Sequence, residues 1–168
     1  MIQEFRNDAP INKRIIIVGK GGSGKDYLKD IFVKRGFNSS VSFTTRPPRT
    51  GEICGKEYYF CSDEQFQEMI DNNKFFEYKQ FNGWFYGTSK LEFNTADVFI
   101  MTPPSIDDLS KEDRKSSMII YLDIEESIRK KRLSNRNDSD SVKRRLLADN
   151  KMFQNFTNYD LRLSDPNF

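Results

Sequence analysis

The sequence predicts an α/β chain: three layers, α/β/α, around a parallel core sheet, with a small mixed-β insert. Three observations carry this. The apolar runs 14–18, 96–101 and 117–122 lack polar alternation, as strands buried on both faces do. Helical patterns separate them, which implies parallel strands joined by crossovers. The first run leads directly into a glycine-rich loop that opens the first helix, and in such sheets ligands gather beyond the C-terminal strand ends.

That loop is Gly19, Lys20, Gly21, Gly22, Ser23, Gly24, Lys25 and Asp26. Strand, loop, helix is the context that makes G-x-x-x-x-G-K a phosphate-binding loop (P-loop). Its glycines let backbone N–H groups curl around a polyphosphate, and the helix N-terminus adds its positive dipole end. Lys25 is placed to reach the β- and γ-phosphates. Asp26 stands where a Ser or Thr usually ligates Mg²⁺.

The remaining elements follow in order. Residues 1–13 read as a leader. The first helix carries Tyr27, Leu28, Ile31 and Phe32 on one stripe and stops at Gly36. Residues 41–52 are mostly loop, with Arg46 and Arg49 on a backbone stiffened by Pro47 and Pro48, which suits a rigid anion clamp. Residues 57–60 read as a short strand. Ser62-Asp63-Glu64-Gln65 is a capping box, followed by a helix with Phe66, Met69 and Ile70 inward. Two strands, 75–81 and 84–86, flank Asn82-Gly83, a strong hairpin signal. The aromatics of that hairpin (Phe75, Phe76, Phe81, Trp84, Phe85) are expected mostly in the core. Pro103 and Pro104 stop the strand 96–101, a short helix is expected from 105 to 109, and 110–116 reads as a charged surface turn. A helix is expected over 125–133, then a polar stretch, then a long helix over 141–156 with Val142, Leu146, Met152, Phe153 and Phe156 inward. Residues 159–163 read as a last strand.

Composition narrows the chemistry. The 168 residues, 31% charged and 14% aromatic, fit one globular domain. A net charge of +2 is too small to argue for a nucleic-acid or membrane partner. The apolar runs are too short to span a bilayer and the first twelve residues are polar, so a cytoplasmic location is expected. The chain has no histidine, which excludes Ser-His and Cys-His nucleophilic catalysis, and Cys54 and Cys61 are expected as free thiols. Phosphoryl transfer needs no histidine where positioning and cations supply the rate.

Within this frame the chain resembles the guanylate kinase family of nucleoside monophosphate kinases. Residues 42–52 (SFTTRPPRTGE) and 55–60 (GKEYYF) look like its GMP-binding signature, and 75–78 (FFEY) with 83–89 (GWFYGTS) match the rest. The resemblance runs from about 14 to about 165 and is densest over 41–89. It implies one domain with a core of 14–36 and 96–168, an acceptor-binding insert at about 37–90 and a lid at about 133–141. It implies ATP, Mg²⁺ and phosphorylation of GMP or dGMP. Arg46, Arg49, Tyr58 and Tyr86 would hold the acceptor phosphate, and Ser42, Glu77 and Thr88, beside Gly87, would read the base. Guanine presents two adjacent donors, N1–H and the 2-amino group, which one carboxylate accepts, while hydroxyls can donate to O6. Adenine would leave Glu77 facing a lone pair. Arg132, Arg136 and Arg145 match the lid arginines that, with Lys25 and Arg49, meet the transferring phosphoryl group.

The chain departs from the family pattern in four ways. Asp26 replaces the loop Ser or Thr. The strand that ends in Asp-x-Asp is here Ile100-Met101-Thr102-Pro103. The lid is about two residues short, and the helix that usually follows residue 165 is missing. A carboxylate lost from the strand and gained in the loop leaves two readings of Asp26: it takes over part of the metal-binding role, or it simply caps the helix start, where an anion is favoured. Beside the GMP kinase stand two other readings: a broader deoxynucleoside monophosphate kinase, and a non-catalytic phosphopeptide-binding module of the same fold. Lys25, the clamp and the lid arginines argue for chemistry. Oligomeric state is left open.

Overall fold

The computed structural model describes residues 14–81, 83–135 and 141–168. The elements are β1 (Arg14–Gly19), α1 (Lys25–Lys34), β2 (Phe43–Thr44), β3 (Tyr59–Phe60), α2 (Asp63–Asp71), β4 (Phe75–Phe81), β5 (Trp84–Ser89), α3 (Lys90–Thr95), β6 (Val98–Ile100), α4 (Pro103–Asp107), α5 (Lys111–Lys115), β7 (Ser117–Leu122), α6 (Glu126–Ser134), α7 (Val142–Phe153) and β8 (Leu161–Leu163).

β1 lies between β6 and β7 in a parallel sheet of order β6-β1-β7-β8. Because strand side chains alternate between faces, the isoleucine run serves two cores at once. Ile16 and Val18 pack with Phe99, Ile119 and Tyr121 against Phe93 of α3, Ile106 of α4 and Phe153 of α7. Ile15 and Ile17 pack with Ile120 and Leu122 against Leu28 and Phe32 of α1, with Ile128 of α6 at the margin. Helices therefore cover both faces, and the three layers follow. Each fully buried Ile contributes about 1.5–3 kcal/mol.

The second sheet, of order β3-β2-β5-β4, is mixed: β2 and β3 run parallel, the other pairs antiparallel. The β4–β5 hairpin closes between Phe81 and Trp84, with Gly83 at φ 84°, a left-handed conformation that favours glycine. A bulge between Phe75 and Glu77 shifts the register so that Glu77 stands opposite Thr88. Ser62 caps α2 with the full reciprocal capping box, worth about 1 kcal/mol.

Several boundaries and faces differ from expectation. Tyr27 is 60% exposed and lies off the α1 stripe; Leu28 and Phe32 carry the burial. Residues 110–116 are not a turn but contain α5, capped by Ser110; it is too short and too polar to show periodicity. α3, capped by Ser89, is a further short helix without a sequence signal. α7 ends at Phe153, and Phe156 folds back to join Tyr121, Phe153 and Tyr159 in an aromatic cluster. In the hairpin Phe75 is buried, whereas Phe81 and Trp84 are half-buried and line a cleft.

Candidate active site

The cleft opens beyond the C-terminal ends of β1 and β6, between the two sheets. The glycine loop, the end of β6, α7 and the mixed sheet all contribute to its walls. Lys25, Arg46, Arg49, Glu77 and Arg145, distant in sequence, face it together.

The loop is shaped by contacts behind it. Gly22 (φ 77°) and Gly24 (φ 100°) take left-handed conformations, and Gly24 is the N-cap of α1. A Cβ on Gly22 would come within 2.8 Å of the Arg129 carbonyl oxygen, so the close approach of α6 also requires glycine. Lys25 Nζ donates to the carbonyl oxygens of Gly19 (2.7 Å) and Lys20 (3.2 Å), which folds the ammonium over the loop. Lys20 Nζ donates to Asn150 of α7, and Ser23 is fully buried beneath the loop. Asp26 lies in the first turn of α1, its side chain 74% exposed and 3.8 Å from Lys29 Nζ.

Asp149 was not legible as a site residue. Its carboxylate, on the buried face of α7, accepts from Gly21 N–H at 2.7 Å and lies 3.8 Å from Arg129. The signal for it was an acid among the inward positions Leu146, Asp149 and Phe153. Arg129, although it belongs to the basic run of α6, is buried: it donates to Ile124 O (2.9 Å) and backs the loop.

The clamp is held by one carboxylate. Arg46, 5% exposed, donates from Nη2 to both oxygens of Glu52 at 2.9 and 2.8 Å and from Nη1 to Pro47 O at 2.7 Å. Arg49 N–H donates to Glu52 at 2.7 Å, and its guanidinium lies 3.6 Å from the other oxygen. Glu52 thus fixes both arginines, a role the sequence reading left unassigned. The Arg46 guanidinium also lies over the rings of Tyr58 and Phe60. Burial first, then the Asp26 charge, pushes the Tyr58 phenol up to about 12, and burial raises Tyr86 as well. Both are neutral O–H donors near pH 7, suited to phosphate oxygens.

Deeper in the cleft, Glu77 is gripped on both sides. Thr88 Oγ1 donates to Oε1 at 2.7 Å, Ser105 Oγ donates to Oε2 at 2.7 Å, and Thr102 Oγ1 lies 2.9 Å from Ser105 Oγ. Thr88 thus directs its one proton to Glu77, and Ser42 lines the same cleft. Gly87 lets β5 pass Phe75, whose ring lies 2.8 Å from where a Cβ would stand. Where strand acids were missing from sequence, the end of β6 supplies hydroxyls instead.

Of the lid set, Arg145 lines the cleft. Arg132 does not: it sits behind the loop, donating to Gly22 O (3.2 Å), Ser23 O (3.3 Å) and Pro166 O (2.9 Å). Arg136, expected in a lid, lies outside the described residues.

Comparison with known proteins agrees with this geometry. The guanylate kinase family model matches residues 11–168. The guanylate kinase of Prochlorococcus marinus is 33% identical over 165 residues, covering 92% of this chain and 90% of that protein. Those of Lactobacillus johnsonii and Clostridium tetani are 46% and 48% identical over 77 residues, which span only 38% and 37% of their own lengths. The crystal structure of guanylate kinase from Anaplasma phagocytophilum superposes with a TM-score of 0.67 at 20% identity, over 92% of this chain and 79% of that one, a likeness of fold. By sequence match along nearly its whole length, the chain belongs to the guanylate kinase family.

Proposed function

We propose that the protein transfers the γ-phosphoryl group of ATP to GMP or dGMP, giving ADP and the nucleoside diphosphate. The observation that carries this is a single cleft holding both a lysine-bearing phosphate loop and, opposite it, an arginine–tyrosine clamp beside a fixed carboxylate. Residues 37–90 act as the acceptor-holding arm and 133–141 as the lid. ATP lies along Gly19–Asp26 (residues 19–26), its phosphates on the loop N–H groups and Lys25. Arg46, Arg49, Tyr58 and Tyr86 hold the acceptor phosphate; Glu77 and Ser42 read the base.

An acceptor-phosphate oxygen attacks the γ-phosphorus in line. The new P–O bond forms as the bond to the β–γ bridging oxygen breaks, and that oxygen leaves with ADP. No protein group need take up a proton or become covalently attached. Lys25, Arg49 and Arg145 neutralise the charge on the transferring group, and lid closure brings Arg132 and Arg136 toward it while excluding water. Among the described residues, no cluster of three acidic or cysteine groups could hold a metal alone. That fits Mg²⁺, which binds through substrate phosphates plus one or two carboxylates; Asp26, at the loop's end, would supply one directly or through water. When bound, the ion screens the phosphate charge. If Asp26 has this role, Asp26→Asn raises the Mg²⁺ concentration for half-maximal turnover severalfold, and an unchanged Mg²⁺ dependence rules it out.

Cys54 and Cys61 are free thiols, in keeping with a reducing compartment, and we place the reaction in the cytoplasm without membrane or nucleic-acid partners. Among the described residues no helix is long and apolar enough to cross a membrane. The test is ADP release with ATP, Mg²⁺ and each nucleoside and deoxynucleoside monophosphate. Turnover confined to GMP and dGMP supports the proposal; turnover across many acceptors indicates the broader kinase, and none at all defeats it.

A further inference from the structure

We propose that Thr102 and Ser105 form a hydroxyl relay of fixed polarity that orients Glu77 and makes Thr102 Oγ1 the acceptor for the second proton of a purine 2-amino group. The proposal rests on the reading of the cleft as a GMP site and extends it to two residues at the end of β6 and the start of α4.

Counting protons sets the polarity. A carboxylate only accepts, so the Ser105 hydroxyl, 2.7 Å from Glu77 Oε2, must donate its single proton there. Ser105 then has only lone pairs for Thr102, 2.9 Å away, so Thr102 must donate to Ser105. Its own proton committed, Thr102 turns lone pairs toward the cleft that it lines. Thr88 is fixed likewise on Oε1. Thr88 and Ser105 are each 2% exposed, so water does not compete for these bonds. Lys79 of β4 is ion-paired with Asp108 just after α4, which ties the helix carrying Ser105 to the strand carrying Glu77.

The result is a wall of acceptors: two carboxylate oxygens, each with a lone pair to spare, and Thr102 Oγ1 beside them. Among the common bases only guanine presents three protons on adjacent nitrogens, one on N1 and two on the 2-amino group. Glu77 takes N1–H and one amino proton, and Thr102 takes the other. Ser105 acts through Glu77 and is a positioning residue; Thr102 is a specificity residue.

The experiment compares GMP with IMP, the same 6-oxopurine without the 2-amino group, in wild type, Thr102→Val, Thr102→Ser and Ser105→Ala. The Thr102 side chain makes no helix-capping bond, so valine removes only the relay hydroxyl. Thr102→Val is expected to lower kcat/KM for GMP on the order of tenfold and to leave IMP unchanged, with Thr102→Ser restoring the preference. Ser105→Ala is expected to weaken GMP and IMP alike, because N1–H is common to both. Equal losses for both nucleotides in Thr102→Val, or an unaltered GMP:IMP ratio, overturn the relay. Binding of GMP and IMP is measured in parallel by calorimetry without ATP. GMP binding without turnover sinks the kinase reading but leaves the relay readable from affinities; no GMP binding by the folded wild type overturns both.

Discussion

Replacing Glu77 by glutamine changes charge and hydrogen-bond polarity at nearly constant shape. The carboxylate receives two buried hydroxyls, Thr88 and Ser105, each at 2.7 Å. An amide offers one oxygen and one NH2, so one hydroxyl must reverse and accept. Where Ser105 reverses, it donates to Thr102, and the Thr102 proton swings toward the cleft. In either amide orientation one guanine N–H meets another N–H. A hydrogen bond to a charged acceptor contributes about 1.5–3 kcal/mol, and an unpaired donor adds about 1–3 kcal/mol. A loss of about 3–4 kcal/mol follows, or roughly 10²- to 10³-fold in kcat/KM for GMP. Because the hydroxyls can turn to satisfy the amide, the fold should lose less than about 1 kcal/mol, a shift of at most about 4 °C in melting temperature. Steady-state kinetics with varied GMP and a thermal melt measure both. A loss in kcat/KM below tenfold, with the melt unchanged, would refute the reasoning that Glu77 reads the base.

Three other predictions concern the clamp, the loop and the phenols. Glu52→Gln removes the charge that Arg46 is buried against; breaking a fully buried pair costs about 3–5 kcal/mol. The Pro47 carbonyl, the aromatic stacking and cleft water reduce this to about 2 kcal/mol, so thermal melts should fall by about 4–8 °C; an unchanged melt removes Glu52 as the brace. Asp149→Asn keeps an acceptor for Gly21 N–H but removes negative charge from the mouth of the phosphate loop. ATP should bind about fivefold tighter, about 1 kcal/mol, by calorimetry; weaker binding would make Asp149 a brace for the loop, not a competitor for it. Tyr58 and Tyr121 are pushed up to about 12, burial being the main cause in each. Below pH 10 both folded and unfolded phenols are protonated and their contribution is intact. Between pH 10 and about 12 the unfolded chain releases protons that the folded protein keeps, so stability is lost as pH rises through that window. Titration of the near-ultraviolet tyrosinate band should show part of the signal of the seven tyrosines appearing only near pH 12; a band complete near pH 10 would contradict it.

Much of the fold is local chemistry and was legible as such. Continuous apolar runs gave β1 and β7, Ser62 and Gln65 gave the start of α2, and Asn82-Gly83 marked the hairpin. α3 and α5 were not legible, since five or six residues do not complete enough turns to show a period. Arg46, Arg49, the glycine loop and Glu77 were singled out from sequence as candidates and line one cleft; Ser105, Thr102, Asp149 and the bracing role of Glu52 were not singled out. A serine after two prolines carries no mark of a partner 28 residues away, and Glu52 reads as a solvated turn until Arg46 is seen to be buried.

The sequence by itself determined that a strand, a glycine loop and a helix stand together, because those preferences are settled by neighbours within a few residues. It determined, too, which residue types are present to meet phosphate. Only the tertiary structure decided which way the protons point. Hydroxyls can donate or accept, and the direction of Thr88, Ser105 and Thr102 is imposed by the one group among them that can only accept, Glu77. That constraint exists once β4, β5 and α4 are packed together. Tertiary packing likewise set Arg132 behind the loop and Asp149 at its mouth, where chain proximity alone gives no reason for either.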